Sequence, residues 1–174
     1  MKHPIKVAAC PLPPGSRIVQ TVQGADFADC YTLPDPHPEL DALQTYLAIF
    51  ARTPRWMHVL MAIRNGVVRH LGLKSANGLR VAEPHTPPAS YRPGDRMGIF
   101  TLAQATPREA IVFDDDKHLK VQLSLFKHTV GDQPMVSVST VVHIHNRLGR
   151  AYMSVVGPVH KLIVPLMLAQ AART

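Results

Sequence analysis

The chain has 174 residues, 46% of them hydrophobic and 18% charged, with a formal net charge of +7. These figures exclude an intrinsically disordered chain and fit one globular domain with a sizeable core. The basic balance would suit a polyanion, but Arg52, Arg55, Arg64, Arg69, Lys74 and Arg80 are dispersed and do not alternate with aromatics, so a solvated basic face is expected and no nucleic-acid partner.

Residues 1–16 (MKHPIKVAACPLPPGS) read as a flexible leader that joins no core, ahead of a single domain over 17–174. Pro4 and Lys6 interrupt the apolar stretch that a secretory signal before Cys10 would need. With Cys10 in such a leader and Cys30 the second of two cysteines, a structural disulfide is not expected. A reducing cytoplasm is the expected compartment.

A first strand is predicted near residues 26–33. PDPHPELDALQTYLAIFART follows, with Asp35 or His37 as cap and Leu40, Leu43, Leu47 and Phe50 at helical spacing. Thr53-Pro54 opens a second helix, with Trp56, Val59, Leu60, Ile63, Val67 and Leu71 as its apolar stripe. Residues 74–94 read mostly as loop. The period then changes from helical to two. RMGIFTLAQ, REAIVF, KHLKVQLSLFKH and PMVSVSTVVHIH are predicted strands, with hairpin connections at Asp114-Asp115-Asp116 and Val130-Gly131-Asp132. The layout is α+β, with two short helices after the first strand and then a run of antiparallel strands.

The last stretch contains GRAYMSVVGPVHKLIVPLML. Leu148, Tyr152, Val155, Val159, Leu162, Leu166 and Ala169 follow steps of four and three, which predicts one continuous amphipathic helix whose stripe faces the core, with Asn146 as cap. Pro158 and Pro165 lie on a flank of that stripe and would bend the helix around a curved sheet. A helix starting only at Pro158, with 149–156 as a last strand, is the alternative. Arg147, Arg150, His160 and Lys161 divide the segment and argue against a membrane span.

GADFADCYTL, PRWMHVLMAIRNGVVRHLGLK, REAIVFDDDKHLKVQLSLFK and this last stretch together resemble the bacterial domain-of-unknown-function family numbered 2867, over about residues 18–172. Glu109, Asp115, Asp116, His118 and Leu119 carry the likeness, with Gly149, Arg150, Tyr152, Pro158 and His160. Val159 stands where the family usually has an aromatic residue. The family is similar in layout to helix-grip proteins of the Bet v 1 and START type. The resemblance therefore implies a curved antiparallel sheet wrapped around a long kinked C-terminal helix, with a cavity between them. It implies no particular reaction.

His143 and His145 share a face of a predicted strand and could join His160 or His118 around a metal, but no Cys or Glu stands near them to complete the shell, and no metal site is expected. Asp114–Asp116 with His118 lack the alternating ligands and glycine of a calcium loop and read as a solvated turn. No P-loop, dinucleotide fingerprint or nucleophile elbow occurs, so no cofactor is expected. Trp56, Met61, Phe100, Leu123, Tyr152, Val155 and Val159 are expected to line a cavity holding a small hydrophobic or amphipathic molecule. If the fold carries an acid/base enzyme instead, such as a cyclase, isomerase or hydrolase, His160, Tyr152 and Arg150 are the first residues to test. A third reading is a basic interaction module, homodimeric or meeting an acidic partner.

Overall fold

The computed structural model describes residues 6–51 and 87–172. Among them, strands β1 (Ala8–Ala9), β2 (Phe27–Pro34), β3 (Arg96–Met97), β4 (Phe100–Ala105), β5 (Glu109–Asp115), β6 (Leu119–Val130) and β7 (Gln133–Ile144) form one antiparallel sheet in the order β1-β2-β7-β6-β5-β4-β3. Helix α1 (Ala42–Ala51) follows β2, and the long helix α2 (Arg147–Ala171) follows β7. The α+β layout read from the sequence is thus present. The second predicted helix lies outside the described residues.

The period-two stretches become strands, because a strand alternates its side chains between two faces, but RMGIFTLAQ, read as one strand, turns back at Gly98 (φ 68°) into the antiparallel pair β3 and β4. The β6–β7 hairpin turns over Gly131 and Asp132, between the paired Val130 and Gln133, and Gly131 takes a φ of 60° that favours glycine. α1 starts later than the prolines suggest. Asp41 Oδ1 accepts from the Gln44 amide at 2.8 Å while Gln44 Oε1 accepts from the Asp41 amide at 3.1 Å, a reciprocal capping box. Asp35 and His37, the expected caps, lie in the loop before it. There Lys127 Nζ of β6 sits 3.0 Å from Asp35 Oδ2 and donates to the carbonyls of His37 and Leu40, so one cation holds the loop to the sheet.

One face of the sheet carries the main core. Leu33, Val136, Val138, Leu123, Leu125, Ala110, Val112 and Leu102 pack there against Leu43, Tyr46, Ile49 and Phe50 of α1 and Val164, Met167, Leu168 and Ala171 of α2. The opposite face is covered by the N-terminal segment. This corrects the expectation of a leader that joins no core. Ala8 and Ala9 pair with Thr32 and Tyr31, and Ile18 is fully buried. Glu109, buried on that face, accepts from the Ser16 hydroxyl, from the Arg17 amide at 2.9 Å and from Ser124 Oγ at 2.7 Å. A buried carboxylate needs such donors, and two of them come from the segment it anchors.

α2 is one helix through both prolines, with Asn146 Oδ1 accepting from the Gly149 amide at 3.0 Å as its cap. Its orientation is the reverse of the expected one. Gly149, Gly157, Val164, Met167, Leu168 and Ala171 are buried, whereas Val155, Val159, Leu162 and Leu166 are exposed. A proline ring pushes against the preceding turn and bends a helix away from itself. Pro158 lies on the exposed side of α2, together with the regular apolar stripe. By length and composition α2 could cross a bilayer, although its docked C-terminal half belongs to the core.

Candidate functional site

Alternation along β2 places Phe27, Asp29, Tyr31 and Leu33 on the helix-covered face. Asp29 pairs with Thr140 of β7, and the same cross-sheet row continues through Leu123, Val112 and Leu102. An apolar row thus ends in a carboxylate. α2 crosses above it at the turn Gly157–His160, where the Phe27 ring lies 3.8 Å from the place a Gly157 Cβ would take, an ordinary contact distance.

His160 enters this corner edge-on to Phe27, with ring centroids 5.8 Å apart. Its Nε2 is 3.4 Å from Asp29 Oδ2 and 3.3 Å from Thr140 Oγ1. The Asp29 side chain is 9% exposed, and both of its oxygens are buried without a hydrogen-bond partner. Such an atom costs free energy in a folded chain, on the order of 1–3 kcal/mol or more for a charged group. Lys161 Nζ stands over the Phe27 ring at 5.6 Å and adds positive charge at the rim.

Tyr31 completes the corner. Its hydroxyl donates to the Lys161 carbonyl at 3.3 Å. That carbonyl is the one Pro165 leaves without its helical donor, because proline has no N–H to give four residues on. Tyr31 satisfies it, and the His160 imidazole lies against Asp29 instead. Burial, reinforced by the charge of Asp29, pushes the Tyr31 phenol above its ordinary pKa, so it remains a donor at neutral pH.

The other expected residues are placed differently. Tyr152 is half-buried and Arg150 exposed, about 12 and 15 Å from His160 along the helix axis, so the three do not form one constellation. Leu123 is in the core and Phe100 packs against it. Val155 and Val159 face outward rather than toward the sheet. Trp56 and Met61 lie outside the described residues. The histidines are separated too. His143 Nε2 donates to the Thr21 carbonyl at 2.8 Å on the opposite face, and His145 Nδ1 donates to the Asp116 carbonyl at 2.9 Å. Among the described residues no three His, Cys, Asp or Glu side chains form a group that could hold a metal.

A family model described as "Protein of unknown function (DUF2867)" matches residues 21–167. The chain belongs to this family. No curated protein and no solved structure matches it. Several of the residues on which the resemblance was read serve the architecture of this chain. Glu109 anchors the N-terminal segment, as described above. Asn146 Nδ2 donates to the Lys117 carbonyl and to His118 Nδ1, both at 3.0 Å, while its Oδ1 caps α2. Gly149 sits so close to this clasp that a Cβ would stand 2.2 Å from the His118 carbonyl oxygen. His160, by contrast, meets a buried carboxylate that has no hydrogen bond. Asp29 and Phe27, which sequence reasoning missed, come from GADFADCYTL. The signal available was an acid alternating with Phe27, Tyr31 and Leu33 on one face of a predicted strand.

A recess of about 200 Å³ opens on the opposite face, lined by Gly15, Arg17, Gln104, Thr106, Glu109 and Phe126 among others. Arg17 Nη1 donates across it to Gln104 Oε1 at 2.7 Å, and Glu109 already has its donors, so no carboxylate there lacks a partner.

Proposed function

We propose that this domain binds a small apolar or amphipathic molecule between α2 and the sheet, in the manner of helix-grip proteins, and that a donor group on that molecule meets Asp29. The carrying observation is a buried carboxylate with no hydrogen bond to either oxygen, only the imidazole of His160 at 3.4 Å, at the end of a row of apolar residues and beneath α2. An amine or hydroxyl would satisfy Asp29, and His160 and Thr140 would orient it. The helix-grip part of the reading is fold-level analogy.

Native mass spectrometry of freshly purified protein tests it. A retained small molecule, lost in Asp29→Asn, is the expected result. A bare polypeptide mass, with no thermal shift from a panel of amphipathic amines and alcohols, would overturn it.

The placement of Asp29 beside Nε2 of His160 also favours a second reading, acid/base catalysis. A carboxylate that holds one imidazole nitrogen leaves the other as proton acceptor. Conversion of the retained molecule by wild type, abolished in His160→Gln with the melting temperature kept, distinguishes an enzyme from a carrier.

We also propose that the outward stripe of α2 meets a second copy of the chain. Leu148, Tyr152, Val155, Val159, Leu162, Leu166 and Ala169 repeat every 3.5 residues on average, the seam of a two-helix coiled coil rather than of a helix lying on a sheet. A twofold pairing would cover the apolar side chains that the domain leaves exposed.

A further inference from the structure

Cys10 follows directly on β1 and stands opposite Cys30 of β2. The register pairs Ala9 with Tyr31, and the Cys10 amide donates to the Cys30 carbonyl at 3.0 Å. Directly opposed residues of antiparallel strands have Cα atoms about 4.5–5.5 Å apart, inside the window of about 4.4–6.8 Å that a disulfide tolerates. The two sulfurs are 3.2 Å apart and unbonded. Closing them to a bond requires a movement of about 1 Å. Both side chains lie on the face away from Asp29.

We infer that Cys10 and Cys30 are a peroxide-responsive thiol pair that closes to a reversible disulfide between β1 and β2. The two sulfurs have different parts. Cys10 is half-buried and reachable, whereas Cys30 is 3% exposed and its sulfur also accepts from Ser139 Oγ at 3.2 Å. Burial pushes the Cys30 thiol up to about 12, so Cys30 does not supply the first thiolate. Cys10, as thiolate, attacks one oxygen of hydrogen peroxide. The O–O bond breaks, the departing hydroxide takes up a proton to become water, and Cys10 carries a sulfenic acid. The Cys30 sulfur then attacks the Cys10 sulfur, the S–O bond breaks, and the Cys30 proton leaves with that hydroxide as a second water. Two thiols are oxidised to one disulfide and one peroxide is reduced to two waters. The bond would tie down the strand that leads into the segment held by Glu109.

This inference is independent of the ligand-binding proposal, since it concerns the other face of β2. The test uses the full chain, prereduced and exposed to hydrogen peroxide in the presence of dimedone, a sulfenic-acid trap, with peptide mapping under non-reducing conditions. Wild type is expected to yield a Cys10–Cys30 cross-linked peptide pair that dithiothreitol releases. Cys30→Ser should show dimedone on Cys10, at about 10-fold the wild-type level, because the neighbouring thiol no longer intercepts the sulfenic acid. Cys10→Ser should leave Cys30 unmodified. Cys30→Ala, which keeps the site apolar, replaces Cys30→Ser if the latter loses its far-UV spectrum. Equal dimedone labelling of wild type and the Cys30 variant, or disulfides formed only between chains, would overturn the inference.

Discussion

Asp29 Oδ2 lies 3.4 Å from His160 Nε2, and the carboxylate has no hydrogen bond to set against its burial. Two roles for the pair predict opposite results for Asp29→Asn. A structural ion pair whose one member is removed leaves a buried charge and costs about 3–5 kcal/mol. A ligand-binding carboxylate is a liability in the free protein, so its neutral isostere should change stability by less than about 1 kcal/mol while weakening ligand retention about 10- to 100-fold. We expect the second pattern, read from urea titrations alongside native mass spectra. A large loss of stability would return the pair to a purely structural role.

Much of the architecture was open to reading. Strands β4 to β7 follow from alternation, and the continuity of α2 follows from its four-and-three spacing with Asn146 ahead of it. Which face of α2 is buried did not follow. Periodic apolarity marks a face that wants cover, and it does not say whether the cover is the chain's own sheet. Gly149 carries no apolar signal, yet it lets the helix backbone approach the His118 carbonyl where any side chain would hold it off. The alternation marked Asp29 as an acid on an apolar face, but its surroundings were hidden for another reason. Its partners come from β7 and α2, and only the β2–β7 register brings Thr140 beside it. The role of Glu109 was hidden likewise, since Ser16 and Arg17 reach it from a segment whose prolines suggested no structure.

The two buried glycines of α2 make a contrast on one helix. A Cβ at Gly149 would stand 2.2 Å from the His118 carbonyl oxygen, and backbone cannot yield as a side chain can. Gly149→Ala should therefore cost about 3 kcal/mol. At Gly157 the nearest atom to such a Cβ is 3.8 Å away, an ordinary contact, so Gly157→Ala should be neutral or stabilise by up to about 1 kcal/mol through helix propensity. Thermal melts of both variants check the signs. Equal effects would mean that α2 is not seated on the β5–β6 turn as described.

His128 supplies a pH dependence. Its Nε2 lies 2.8 Å from Ser137 Oγ and its ring stacks on Phe126. Burial, together with the nearby Arg108 charge, lowers its pKa from the ordinary 6.5. The unfolded chain therefore binds this proton more readily than the folded one. The contribution is intact above pH 6.5 and is lost as pH falls through the lower folded value. Wild type should lose stability relative to His128→Gln between pH 7 and pH 5, by less than about 1 kcal/mol for a group this open to solvent. Chemical denaturation of both proteins across that range measures the difference. A wild type that gains stability relative to the variant as pH falls would contradict the sign.

The outward stripe of α2 gives the sharpest test of assembly. Leu162 is 69% exposed and Leu166 62%, one turn apart on the side away from the sheet. In a lone domain Leu162→Glu would remove an apolar group from water and change folding stability little. In a paired helix seam the same change buries a charge against its symmetry mate, and like charges facing each other across the seam oppose association. We expect wild type to sediment as a dimer at micromolar concentration and Leu162→Glu as a monomer with an unchanged far-UV spectrum. A monomeric wild type would refute the pairing. A wild type that stays monomeric but floats with anionic vesicles would give the stripe, and the uniformly basic charges beside it, to a membrane surface instead.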